Sequence, residues 1–145
     1  MSAGPRRVLV VDDEPGILRI LSIAIANYGF VVDCAGSSRE ALALLTRATY
    51  DVIVSDVNMP GGDGIDLLGI VRGRGVLPPV IVMSGRPSPD GKARALAGGA
   101  FRYMIKPVMP SELRLVIESA LAPDRGVSPN SPPTTERVAG SRRQS

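Results

Sequence analysis

The chain of 145 residues contains no histidine, no tryptophan and a single cysteine, Cys34. Without histidine, Ser/His and Cys/His nucleophilic catalysis and imidazole-based zinc sites are excluded. One cysteine cannot close an internal disulfide, which points to a reducing, cytosolic setting. Aromatic residues are scarce, at 3% of the chain, so no basic stripe interleaved with stacking rings is available to grip nucleic acid. The formal charge is +3, but the part before Pro123 carries +1, so the pI near 9.5 says little about nucleic-acid binding. A long hydrophobic run is missing too. The opening "MSAGPRRVLVVDDEP" offers four apolar residues in a row before its acids, far short of a signal sequence or a spanning helix. Neither export nor membrane insertion is expected.

What is present describes one folded unit. A hydrophobic fraction of 44% against 21% charged residues is ordinary for a soluble domain, and the length allows a single core. Apolar runs of strand length occur at 8–11, 31–35, 52–55, 80–83 and 101–105. Helical patterns lie between them. The first places Ile17, Ile20, Leu21, Ala24 and Tyr28 on one face and stops at Gly29. The second opens on "SSRE", in which Ser37 and Glu40 have capping-box spacing, and carries Ala41, Leu44, Leu45 and Ala48 on one stripe. The third, "GIDLLGIVRG", is short and weakened by Gly69, and the fourth, "PDGKARALAGGA", is polar and flanked by glycine. The fifth starts at Pro110 and turns Leu113, Val116, Ile117, Ala120 and Leu121 inward.

Strict alternation of strand and helix predicts an α/β fold, a doubly wound parallel sheet with helices on both faces, because parallel neighbours need a helical crossover. The runs "VLVV", "VIV" and "VIVM" are continuously apolar and read as central strands, whereas "VVDCA" and "FRYMI" carry polar residues and read as edges. After Ala122 the sequence turns rich in Pro, Ser, Thr, Gly and Arg with two isolated valines. Such a composition cannot bury enough apolar surface to offset chain entropy, so residues 123–145 are expected to be a disordered tail and residues 1–5 a flexible start, with the domain over 6–122.

In an open parallel sheet, ligands bind beyond the carboxyl ends of the strands, where strand order reverses. The first strand ends in Asp12 and Asp13, the third in Asp56, the fourth in Ser84 and the fifth in Lys106. Taken singly, Asp12 or Asp13 could cap the following helix, Asp56 could serve a turn, and Ser84 and Lys106 could be solvated. Their arrival at one edge favours a shared site. Three converging carboxylates cannot all ionise without a compensating cation. With hard oxygen ligands and no His or Cys, that cation is Mg²⁺ or Ca²⁺, and a small cluster with open positions suits Mg²⁺. Lys106 would balance charge and pair with a phosphoryl oxygen, and Ser84 would donate a hydrogen bond to another.

The spaced motifs "VVDDEP", "DVNMPGGDG", "VMSG" and "YMIKP" make residues 6–121 resemble the receiver domain of two-component response regulators, similar to single-domain chemotaxis regulators. The resemblance implies a flavodoxin-like five-stranded sheet of order 2-1-3-4-5. It implies that Asp56 is phosphorylated by a sensor histidine kinase, a histidine phosphotransfer protein or a small phosphodonor. Mg²⁺ would be held by Asp13 and Asp56, by Asp12 through water and by the backbone carbonyl of Asn58. Lys106 would hold the phosphoryl group, Ser84 would sense it, and Tyr103 resembles the switch aromatic that follows Ser84. Lys106–Pro107 resembles the family's cis peptide, and Met59, Pro60 and Gly64 the turn after Asp56. Asn58 and Arg86 stand where relatives tune dephosphorylation.

A downstream protein would read the face of the fourth helix, fifth strand and fifth helix, where Val108 replaces a frequent aromatic, and phosphorylation could also be linked to dimer formation. The chain then acts as a stand-alone cytoplasmic switch rather than an enzyme for other substrates, with no direct nucleic-acid output. The alternative is a protein-binding module of the same fold that works without phosphorylation. A phosphohydrolase with an Asp nucleophile is disfavoured, because the general-acid position two residues after Asp56 is Asn58, whose amide cannot transfer that proton.

Overall fold

Apolar runs rich in β-branched residues form the central strands, and amphipathic stretches between the strands form the helices. A computed structural model describes residues 4–57, 67, 69, 70 and 78–122. Among these the order is β1 (Arg7–Val11), α1 (Pro15–Asn27), β2 (Val31–Ala35), α2 (Ser38–Arg47), β3 (Val52–Asp56), β4 (Val80–Ser84), α3 (Pro89–Ala97), β5 (Arg102–Ile105) and α4 (Pro110–Leu121). Leu67, Gly69 and Ile70 are helical, but most of the third expected helix lies outside the described residues, as do residues 1–3 and the expected tail at 123–145.

All strand pairs are parallel and the order is β2-β1-β3-β4-β5. The expected flavodoxin-like architecture is observed, with the polar strands β2 and β5 at the edges. Alternation along each strand separates two cores. Leu9, Val11, Ile53, Val80 and Val82 point to one face, under Ala41 of α2 and Ala95 of α3. Val8, Val10, Val52, Val54, Ile81 and Met83 point to the other, under Leu21 and Ile25 of α1 and Leu113, Val116 and Ile117 of α4. Because β1, β3 and β4 are covered on both sides, every residue from Val8 to Val11, from Val52 to Asp56 and from Val80 to Ser84 is buried.

The helices start as their sequences dictate. Proline stands in the first turn of α1, α3 and α4, where its missing N–H costs nothing. Ser37 caps α2 by accepting from Glu40 N at 3.1 Å, while Glu40 reaches back to Gly36 N, one residue earlier than the capping-box pattern expects. The polar fourth helix of the sequence forms as α3 because Ser88 caps it, accepting from Gly91 N at 2.9 Å, and Ala95 seats on the sheet. One expectation fails on α1. Ile20 is exposed and Ile25, absent from the expected face, is buried. The helix is apolar nearly all round, so its sequence leaves the buried stripe ambiguous by about one position.

Candidate functional site

The chain passes from β1 to β2 on one side and returns to β3 on the other, so the carboxyl ends of β1 and β3 flank the reversal of strand order. Register does the rest. Val10 pairs with Val54 and Val11 with Ser55, so Asp12 and Asp56 stand abreast one step further on. Both share the parity of the apolar residues beneath them, Val10 and Val54, and both are almost wholly buried. Asp13 follows at the exposed lip. Carboxylate oxygens of Asp12, Asp13 and Asp56 all lie within 4.8 Å of one another. The three acids expected to converge do so.

Lys106 enters from β5, two strands away. Its stem passes over the end of β4 at Gly85, where an added Cβ would sit 3.7 Å from Lys106 Cδ. Its ammonium donates to Asp12 Oδ2 at 2.7 Å and lies 3.4 Å from Asp56 Oδ1 and 3.9 Å from Glu14 Oε1. Burial works against this charge, but the hydrogen bond and charge of Asp12, followed by those of Asp56, outweigh it and hold the Lys106 pKa above its ordinary value. The Lys106–Pro107 peptide is cis.

Asp12 caps nothing by its position, since the N-cap of α1 is Glu14. Its second oxygen, Oδ1, instead accepts from Glu14 N at 3.0 Å, which pins the loop between β1 and α1 beneath the cluster. Ser84 is fully buried at the end of β4, and its Oγ accepts from Arg86 N at 3.1 Å. Tyr103 lies on β5 opposite Val82, on the same sheet face as Ser84 and two residues back along the ladder. Asn58, Met59, Pro60 and Gly64 lie outside the described residues.

Glu14 is the residue the sequence reading left without a role. It is the third acid of "DDE", and the signal for it was that run itself. The arrangement can hold a hard divalent cation against three carboxylates, present a carboxylate oxygen to an electrophile, and offer an ammonium and a hydroxyl to incoming anionic oxygens.

The sequence model of the response regulator receiver domain matches residues 8–118. The chain belongs to the response regulator receiver family. As a receiver it is 41% identical over 115 residues to Regulatory protein AtoC of Escherichia coli (strain K12), covering 79% of this chain and 25% of that protein. It is 30% identical over 122 residues to Transcriptional regulatory protein PmrA of Pectobacterium parmentieri, covering 84% of this chain and 55% of that one. Chemotaxis protein CheY4 of Vibrio cholerae matches its fold with a TM-score of 0.78 at 33% identity, covering 81% of this chain and 100% of that one. The Francisella response regulator 1452 receiver domain matches with a TM-score of 0.76 at 34% identity, covering 80% and 96%. The receiver thus spans a quarter to about half the length of these two curated relatives. Among the described residues, no helix is long and apolar enough to cross a membrane.

Proposed function

We propose that this receiver is a phosphorylation-controlled switch in which Asp56 accepts a phosphoryl group from a phosphohistidine or a small phosphodonor. The observation that carries the reading is the meeting of Asp12, Asp13 and Asp56 within 4.8 Å, with the Lys106 ammonium against two of them. A purely structural acid cluster would gain nothing from this arrangement, since like charges destabilise a folded edge.

The donor set fits Mg²⁺, an all-oxygen cradle with one member at the solvent-facing lip. Asp12, Asp13 and Asp56 would hold the ion, with Asn58 completing the set, and when bound it supplies charge neutralisation for the phosphoryl oxygens. The Asp56 carboxylate forms the new P–O bond as the donor's P–N or P–O bond breaks, giving an acyl phosphate. Lys106 turns its ammonium from Asp12 and Asp56 toward a phosphoryl oxygen. Ser84 Oγ already accepts from Arg86 N, so its own proton is the group it can offer to a second phosphoryl oxygen.

Ser84 and Tyr103 share one sheet face, which supports the pair as the switch that alters the surface of α3, β5 and α4. A histidine kinase or phosphotransfer protein upstream and a protein partner or second copy downstream complete the reading, in the cytoplasm. The stand-alone expectation draws no support from the curated relatives, which are longer than this chain.

Calorimetric titration with Mg²⁺ separates this reading from a phosphorylation-independent module. One Mg²⁺ is expected to bind the wild type, with binding lost in Asp13→Asn and Asp56→Asn. Acetyl phosphate is then expected to shift the wild-type melting temperature only when Mg²⁺ is present. A wild type that binds no Mg²⁺ and ignores acetyl phosphate contradicts the switch.

A further inference from the structure

Gly91 stands in the first turn of α3 and faces the sheet on the same stripe as the buried Ala95. Within a helix, glycine is the least favourable residue after proline, so its presence needs a reason. Backbone freedom does not supply one. Among the described residues the glycines at positive φ are Gly4, Gly29 and Gly99, and Gly91 is helical. Space does. A Cβ built at Gly91 would lie 3.5 Å from the Tyr103 hydroxyl and 3.0 Å from Ser88 Oγ, the oxygen that caps this same turn. Tyr103 therefore runs from β5 beneath the start of α3, packed against the cluster that contains Val82 and Ala95, and its hydroxyl faces the position a side chain at residue 91 would take.

We propose that Gly91 is a positioning residue: its missing side chain forms the seat of the Tyr103 hydroxyl and so joins the Ser84/Tyr103 pair to the first turn of α3. The inference rests on the switch reading above and adds the element that receives the signal. The seat is one atom deep. A methyl group at 91 meets the phenol at ordinary contact distance and requires Ser88 Oγ to give by a few tenths of an ångström, whereas a longer side chain occupies the space the phenol now fills. Tyr103 and the α3 start cannot then keep their present relation, and a displacement of Tyr103 no longer bears on that turn.

The test uses the full chain labelled with fluorotyrosine, whose three tyrosines are Tyr28, Tyr50 and Tyr103, with the Tyr103 signal assigned through Tyr103→Phe. In the resting protein, Gly91→Leu is expected to move the Tyr103 fluorine signal and leave those of Tyr28 and Tyr50 in place. Gly91→Ala is expected to move it less. Ser88→Ala removes the cap without filling the seat and is expected to leave it unmoved.

On adding Mg²⁺ and beryllofluoride as a phosphoryl mimic, the wild-type Tyr103 signal is expected to shift and Gly91→Leu to lose most of that shift. A Gly91→Leu signal at the wild-type position, a full beryllofluoride response in that variant, or an equal displacement in Ser88→Ala overturns the seat. If Gly91→Leu does not fold, Gly91→Ser decides, since its hydroxyl reaches beyond the Cβ position into the space the phenol fills, and an unmoved Tyr103 signal there also overturns the seat. A wild type that ignores beryllofluoride contradicts the switch reading instead, while the resting-state spectra still decide the seat.

Discussion

Lys106 neutralises a site that would otherwise repel itself. Its ammonium touches the fully buried Asp12 and approaches Asp56, so Lys106→Met removes the positive charge that these two buried carboxylates share. In the metal-free protein this is expected to cost on the order of 2 kcal/mol, measured by urea denaturation. Asp13→Asn works in the opposite direction. It removes a like charge from the lip, so the metal-free melting temperature is expected to rise while stabilisation by Mg²⁺ disappears. A metal-free Asp13→Asn protein less stable than wild type would show that the carboxylates are not in mutual repulsion. The membership of this group was legible in the sequence because strands of known length deliver Asp12, Asp56, Ser84 and Lys106 to one edge. Its internal pairing was not. That Lys106 sits closer to Asp12 than to Asp56 depends on side-chain torsions of residues 94 positions apart in sequence, and that Asp12 also holds Glu14 N depends on the local path of the loop after β1.

At the level of elements, α2 and α1 show what a pattern can and cannot fix. Ser37 and Glu40 announced the start of α2, and the Ser37 cap is in place, so Ser37→Ala is expected to lower stability by about 1 kcal/mol. On α1 the apolar residues nearly encircle the helix, and the sequence alone could not say which stripe faces inward. Packing against the sheet and α4 chose Leu21 and Ile25 and left Ile20 and Ile23 outside at 60% and 57% exposure. Leu21→Ala is accordingly expected to cost about 2–5 kcal/mol, and Ile23→Gln to stay within about 0.5 kcal/mol of wild type. Equal losses in the two variants would contradict the assigned face. The strands were easier to read, because a sheet covered on both sides demands unbroken apolar runs at its centre and tolerates Asp33 or Arg102 only at its edges. Helix α3 was the hardest element to read, since its stability comes from the Ser88 cap and the seating of Ala95 more than from any periodic stripe.

At the scale of the molecule, three groups among the described residues push the pH dependence in one direction. Partial desolvation raises the thiol of the exposed residue Cys34 above its ordinary 9.0, burial and then Asp33 raise the Tyr50 hydroxyl above 10.0, and for Lys106 the two carboxylates overcome burial to raise the ammonium above 10.5. Each group keeps its proton in the folded state at a pH where the unfolded chain has released it. Their contribution is therefore complete below those ordinary values and is lost as pH climbs through the raised ones. Urea midpoints are expected to fall above about pH 9, the ordinary thiol range, with a shallower fall in Lys106→Met. A midpoint that rises there would contradict the assignment.

The central claim, that the whole domain exists to place a phosphoryl group on Asp56, is tested most directly by intact mass after incubation with acetyl phosphate, with and without Mg²⁺, beside Asp56→Asn. The account predicts a gain of one phosphoryl group that needs Mg²⁺, is removed by hydroxylamine and is absent from the variant. A gain that persists in Asp56→Asn, or no gain in a wild type saturated with Mg²⁺ and offered both acetyl phosphate and a phosphorylated histidine donor, would contradict it.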